Sequence, residues 1–280
     1  MNAIASRVPA PEYHASPGLS ISRLKELKRS PQHYQWALTH PKDTQPLRLG
    51  SAAHCAVLEP ERFIRDHAVW NRRTASGNLG PRNGQYWDAF KGANATKAII
   101  TEDEYVDVLA IQAAVRGDPV AAPYLDSGEP EVVLTWELAG RPCRGRIDWF
   151  TTQNGEPVIV GLKTARDCRV FQFGGQSARL GYHLQWAWYA DGYQAIKSKQ
   201  PKMVEIVVES APPHAVVVYT IPDDVLVQGR EEYEALMVQL AECEVRGEWP
   251  GPASVEQILS LPTWVYGQVD DITELGLETE

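Results

Sequence analysis

The stretch from Gly145 to Thr164 constrains the fold more than any other. Two apolar runs, Gly-Arg-Ile-Asp-Trp-Phe from Gly145 and Pro-Val-Ile-Val-Gly-Leu-Lys-Thr from Pro157, flank an Asn154-Gly155 pair. Asn and Gly tolerate the positive φ of a tight hairpin turn, so the runs are predicted to pair as adjacent antiparallel strands. Side chains alternate across a strand, which puts Val158, Val160 and Leu162 on one face and Ile159, Gly161 and Lys163 on the other. The pairing brings Asp148 toward Lys163. Position 161, two residues before the lysine, is a place for an acidic partner, and glycine holds it.

The rest of the chain has to supply a core around that hairpin. With 280 residues, 44% hydrophobic and 22% charged, it falls in the ordinary globular range and can bury one large core. A single domain over residues 20–280 is expected, after an irregular Pro/Ala/Ser-rich arm at residues 1–19. No basic start followed by an apolar run opens the chain, and no apolar segment reaches spanning length, so a cytoplasmic protein without membrane contact is expected. Cys55, Cys143, Cys168 and Cys243 are scattered without a Cys-x-x-Cys pair, which argues for free thiols and against zinc or an iron-sulfur cluster.

The net charge of −9 hides an asymmetry: residues 1–100 hold 14 Lys/Arg against 7 Asp/Glu, residues 101–200 hold 10 against 13, and residues 201–280 hold 3 against 16. A basic first third can supply local phosphate contacts on an acidic protein. Equally, basic and acidic faces can meet between subunits.

Taken in order, helical spacing predicts a helix from Ser20 through Leu27, capped by the Ser20 hydroxyl, and a second opened by Ser30-Pro31. Arg23, Lys25, Lys28 and Arg29 fall on or beside their exposed face. Residues 47–60 read as a tightly packed helix with Gly50 and His54 on one side, where the histidine is either a core residue or a ligand. Phe63–Trp70 reads as a strand. The following segment to Lys91 reads as a loop with Arg72, Arg73 and Arg82 and a short helix around Tyr86-Trp87-Phe90, suited to phosphate and base contact or simply solvated. Thr101 and Glu104 form a capping box before a helix. The strand Glu129–Leu138 can carry Glu131 beside Asp148 or toward solvent. Arg166, Arg169 and Arg179 occupy a partly helical stretch, followed by an aromatic-rich helix in which Gln185 and Tyr189 share a face. Strands at 204–209 and 215–221 precede a long acidic helix at 222–246. The acidic tail, with Asp270, Asp271, Glu274, Glu278 and Glu280, is expected to pack on a neighbouring subunit.

An Asp on one strand, then an acidic residue, any residue and Lys on the next, is the pattern of the PD-(D/E)xK nuclease superfamily. The ordered strings Leu19-Ser-Ile-Ser-Arg-Leu-Lys25, Gly50-Ser-Ala-Ala-His54, Glu131, Gly145-Arg-Ile-Asp148, Lys163-Thr-Ala165 and Tyr182-His-Leu-Gln185 with Tyr189 resemble the RecE-type (exonuclease VIII) family, with lambda exonuclease a more distant relative. The resemblance implies an α/β fold with a restriction-endonuclease-like core, a central mixed β-sheet flanked by helices. Residues 20–100 would form a basic helical and loop part, 101–221 the catalytic core, and 222–280 an acidic helix and tail.

It further implies a metal-dependent 5′–3′ exonuclease of a phage or prophage recombination system. Such an enzyme acts on linear double-stranded DNA in the bacterial cytoplasm and leaves 3′ overhangs for a RecT-type annealing protein. A ring of three or four subunits is implied. His54, Glu131, Asp148 and the Leu162 backbone carbonyl would hold Mg²⁺, or Mn²⁺ in its place. Lys163 would orient or activate the attacking water, with Gln185 and Tyr189 supporting it. Arg72, Arg73, Arg82, Arg166 and Arg169 would contact DNA. Carboxylates suit Mg²⁺, which prefers oxygen ligands and keeps several waters.

The departure is Gly161, where the family pattern has Asp. Glycine offers no ligand atom and weakens a strand interior by roughly 0.5–1 kcal/mol relative to Ala. From sequence, the expectation is an intact fold with weakened metal binding and cleavage. The alternative is a DNA-binding or scaffolding module that keeps the nuclease fold without turnover.

Overall fold

A computed structural model describes residues 2–6, 8–40 and 44–261. The acidic tail residues from Asp270 onward lie outside the described residues.

In place of an irregular arm, the chain begins with strand β1 (Ala3–Ala5), helix α1 (Ala10–Ala15) and the two-residue strand β2 (Leu19–Ser20). The arm is held from below by the fully buried Arg144, whose guanidinium donates to the Ser16 carbonyl at 2.6 Å and the Ser16 hydroxyl at 2.7 Å and lies 4.8 Å from the Tyr13 ring. Helix α2 (Ile21–Leu24) and a 3₁₀ turn (Lys25–Lys28) follow, then α3 (Pro31–Thr39). Ser30 caps α3 by accepting from the His33 N–H, whereas the Ser20 side chain makes no capping bond.

Helix α4 (Gln45–Leu58) forms as expected, but α5 (Pro60–Asp66) takes half of the segment read as a strand, leaving only β3 (His67–Trp70). Pro60 at the first helical position and the Arg62 pairs with Glu59 and Asp66, three and four residues away, explain the difference. Next come α6 (Gly84–Ala93), β4 (Ala98–Thr101), α7 (Glu102–Gly117), which opens on the complete Thr101–Glu104 capping box, and α8 (Ala122–Leu125). The remaining elements are β5 (Glu129–Leu138), β6 (Arg141–Gln153), β7 (Glu156–Ala165), α9 (Val170–Leu180), α10 (Tyr182–Lys197), β8 (Lys202–Glu209), β9 (Val216–Thr220) and α11 (Asp223–Arg246).

The central sheet is mixed and runs β1-β5-β6-β7-β8-β9, with β2 alongside β6. The β6–β7 turn sits at Asn154 and Gly155, both at positive φ (52° and 81°), and fixes the register from Gln153 opposite Glu156. A parallel step joins β7 to β8 and sets Gly161 opposite Glu205. Helices cover both faces. Ala53 and Val57 of α4, and Ile111 and Val115 of α7, pack on Val158, Val160 and Leu162; Leu184 and Trp188 of α10, with Tyr233 of α11, pack on the Ile147 and Ile159 side. This is the mixed sheet flanked by helices that the family resemblance implies. β3 and β4 form a separate two-stranded sheet. Among the described residues no helix is long and apolar enough to cross a membrane.

The basic turn near the start is largely spent on the fold. Lys28 pairs with Glu232 of α11, and the Lys25 ammonium donates to the Leu180 carbonyl at 3.1 Å. His183 Nε2 lies 2.6 Å from the same Glu232 carboxylate. Burial alone would raise the Glu232 carboxyl, but Lys28 and His183 hold it below its ordinary value of 4.5. A depressed carboxyl contributes stability that is present above the unfolded value and lost as pH falls through the folded one. Glu232→Gln is therefore expected to cost about 1 kcal/mol or less near pH 7, since the group is partly exposed, and almost nothing at low pH. Thermal denaturation of both proteins at the two pH values checks this.

Candidate active site

The site lies where the sheet opens. The β6–β7 ladder runs up to Trp149 opposite Val160 and goes no further. The next N–H that needs a partner, on Leu162, donates to Asp148 Oδ2 at 2.9 Å, so a carboxylate takes the place of a ladder carbonyl. Across β6, Glu131 falls between the paired Pro130 and Val132, opposite Asp148, with a left-handed φ of 55°. Such a backbone costs roughly 1–3 kcal/mol for a residue other than glycine and persists only where its surroundings enforce it.

Lys163 Nζ sits 3.3 Å from Asp148 Oδ2, 3.2 Å from the Leu162 carbonyl and 3.3 Å from Glu205 Oε1. Burial opposes the charged form of both members of the Asp148–Lys163 pair, but their attraction outweighs it. Asp148 is held below the usual carboxylate range, helped by His54 and the Leu162 N–H, and the lysine ammonium is held well above its usual value by Asp148 and Glu205. Both are charged at neutral pH.

The two helical layers meet at this opening. From α4, His54 brings Nδ1 to 3.9 Å from Asp148 Oδ1, and burial lowers its imidazole against the pull of Asp148, leaving a neutral ring near pH 7. Gly50, one turn earlier, faces Thr164 of β7, where a Cβ would meet the hydroxyl at an ordinary contact distance of 3.6 Å. From α10, Gln185 Nε2 donates to the Tyr189 hydroxyl at 2.9 Å. The Tyr189 ring occupies the volume a Cβ on residue 145 would need, which explains the glycine that opens Gly145-Arg-Ile-Asp148.

Other expected residues are placed less centrally. The Glu131 carboxylate turns to Arg146, 2.7 Å away, and burial pushes it up to about 7 despite that partner. The Leu162 carbonyl accepts from Lys163. Arg73 and Arg82 pair with Glu102 and Glu104 of α7, Arg72 stacks 3.7 Å over Tyr86, and Arg169 pairs with Asp167 at 2.6 Å, while Arg166 is exposed. These surface pairs are weak enough to exchange for phosphate. A groove of about 920 Å³ runs past Glu131 between Pro130 and α5, carrying Arg62 and Arg65 among Glu59, Glu61 and Asp66.

Sequence reasoning missed Glu205. Its side chain is 1% exposed, and its Oε2 accepts from Trp186 Nε1. The available signal was an acidic residue in the apolar run Met-Val-Glu-Ile-Val-Val of a central strand, since carboxylates are almost never fully buried without a partner.

Asp148, Gly161, Lys163, Gln185, Tyr189 and Glu205 line a small cavity of about 10 Å³, space for one water-sized body. Among the described residues no three His, Cys, Asp or Glu side chains are gathered as a metal-binding group. A Mg²⁺ ion, however, is commonly held by one or two carboxylates with waters and substrate phosphate. Two carboxylates beside a cavity, one with a buried oxygen that lacks a hydrogen bond, fit that requirement.

The family model described as "PDDEXK-like domain of unknown function (DUF3799)" matches residues 20–259. The chain belongs to this family. The Asp148–Lys163 pair, formed across the hairpin, lies within the matched residues. Among solved structures, the "Putative exonuclease" of Eubacterium rectale is similar to this chain in fold at 14% identity, with a TM-score of 0.62 over 96% of this chain and all of that one. SSO0001, at 15% identity over 77% of this chain and 84% of that one, reaches a TM-score of only 0.29. VC1899 of Vibrio cholerae, at 13% identity over 81% of this chain and 57% of that one, reaches 0.20. No curated protein matches the sequence.

Proposed function

We propose that this chain is a metal-dependent exodeoxyribonuclease of RecE type that digests one strand of linear duplex DNA from its 5′ end and leaves a 3′ overhang. The observation that carries this reading is the Asp148–Lys163 pair at the end of the opened ladder, with both groups charged and with Gln185 and Tyr189 behind them. A bound Mg²⁺ or Mn²⁺ would supply neutralisation of phosphate charge and a lowered pKa for the attacking water. Asp148 would be its first protein ligand, with neutral His54 able to offer a ring nitrogen beside it.

Lys163 contributes in its own right. An ammonium held so firmly protonated is a poor base, so its role is to place positive charge and N–H donors where the phosphate gains negative charge. Arg72, Arg73, Arg82, Arg166 and Arg169 would take the DNA backbone. A RecT-type annealing protein as partner, a trimeric or tetrameric ring around the duplex and a phage or prophage recombination setting in a bacterial cytoplasm complete the reading.

Gly161 favours a second reading, a DNA-binding module without turnover. The two separate in one experiment. Mg²⁺-dependent digestion of an end-labelled linear duplex is expected for the wild-type chain, and Asp148→Asn should slow it by at least roughly 10²–10³-fold without loss of the fold. Duplex binding with no digestion would favour the module, and equal digestion by wild type and Asp148→Asn would remove Asp148 from the chemistry.

A further inference from the structure

The geometry points to Glu205, on the strand beside the hairpin, as the carboxylate that stands in for the acid missing at position 161. This rests on the nuclease reading and adds a cation-binding residue to it. The parallel β7–β8 register sets Glu205 directly across from Gly161. Neighbouring strands lie about 4.8 Å apart, and glutamate is long enough to reach across that gap. A Cβ built on residue 161 would overlap both carboxylate oxygens and the Cδ of Glu205. The acidic group therefore fills the volume that a side chain at 161 would occupy, and it does so only because that residue is glycine.

The surroundings of Glu205 are those of a ligand more than of a structural counter-ion. Oε2 is satisfied by Trp186, but Oε1 is buried with no hydrogen-bond partner and faces Lys163 at ion-pair distance across the cavity it shares with Asp148. Asp148 already balances the lysine. A second ionised carboxylate would leave the cluster of Asp148, Glu205 and Lys163 with an excess of one buried negative charge, a penalty that shows in the Glu205 carboxyl, which burial pushes above its ordinary value against the pull of Lys163. A divalent cation taken up between the two carboxylates removes that penalty. Gly161 and Glu205 are then one paired change that moves the second acid from β7 to β8.

The test is Mn²⁺ affinity of the full chain, read by electron paramagnetic resonance of free Mn²⁺, which needs no turnover. Glu205→Gln keeps the shape and an acceptor for Trp186, and should weaken Mn²⁺ binding by about tenfold or more while the melting temperature without metal is unchanged or higher. The transplant Gly161→Asp with Glu205→Ala returns the acid to β7 and should restore binding toward the wild-type value. Unchanged affinity in Glu205→Gln together with loss in Asp148→Asn would overturn the assignment and leave the nuclease reading standing. Absence of both Mn²⁺ binding and DNA digestion in the wild type would overturn both. If Glu205→Gln does not fold, the transplant decides: retained affinity supports the exchange of positions, and a folded transplant without affinity overturns it.

Discussion

Gly161→Asp, the substitution that would complete the family pattern, is expected to destabilise the chain and to leave cleavage no faster than wild type. The new Cβ would overlap the end of the Glu205 side chain, which would have to give up its contacts with Trp186 and Lys163 to make room. Overpacking of a closed site costs about 1–3 kcal/mol, and a second carboxylate pressed against the first adds like-charge repulsion in a buried setting. For a chain of this size that corresponds to a fall of several degrees in Tm. Gly161→Ala isolates the steric part, because it adds the Cβ without the charge. Adding Glu205→Ala to Gly161→Asp should recover most of the loss, so the two substitutions should be strongly non-additive, as expected for groups in contact. Thermal denaturation of wild type, Gly161→Asp, Gly161→Ala, Glu205→Ala and the double variant, with duplex digestion alongside, measures this. A Gly161→Asp chain as stable as wild type and markedly faster would mean that position 161 is an open ligand slot and that Glu205 does not fill it.

Most of what positions the site was legible because it is local. Asn154-Gly155 dictates the turn, the turn dictates the register, and strand alternation then puts Asp148 and Lys163 together. The i, i+4 spacing of Gln185 and Tyr189 likewise survives as a hydrogen bond along one face of α10. The missed features are non-local. Glu205 reaches the site only through a parallel pairing made after α9 and α10 have crossed over the sheet, and no pattern around residue 205 encodes that register. Phe63 looked like part of a strand because a short apolar run is ambiguous between strand and helix; Pro60 and the ion pairs of Arg62 settle it as helix. The arm at residues 1–19 gains its structure from partners far along the chain, β5 for β1 and Arg144 for the Tyr13–Ser16 segment, which a Pro/Ala/Ser-rich composition does not reveal.

Lys163→Met should do more than abolish cleavage: without divalent cation it should remove about 3–5 kcal/mol of stability near neutral pH, the cost of stranding buried charge when one partner of a buried pair is taken away. Lys163 is the cation shared by Asp148 and Glu205, and its side chain is 14% exposed. The pH dependence follows from sign. In the wild type Asp148 is held below 3.8, so its contribution is present above that pH and lost on acidification. In Lys163→Met burial is left without its main opponent, so the carboxyl of Asp148 rises above its unfolded value and that of Glu205, already raised by burial in the wild type, rises further. Stability of the variant is then greatest at low pH, where they are protonated, and falls as pH rises through the raised values. The difference between the two proteins should shrink toward pH 4 and widen toward pH 8. A divalent cation that binds only the folded variant should restore stability in proportion to the logarithm of its concentration. Denaturant unfolding at both pH values, with and without Mg²⁺, reads all three effects. Equal stability of the two proteins at pH 8 without metal would show that the carboxylates do not depend on the lysine for their burial. A loss that Mg²⁺ fails to reduce would show that they do not form a cation site.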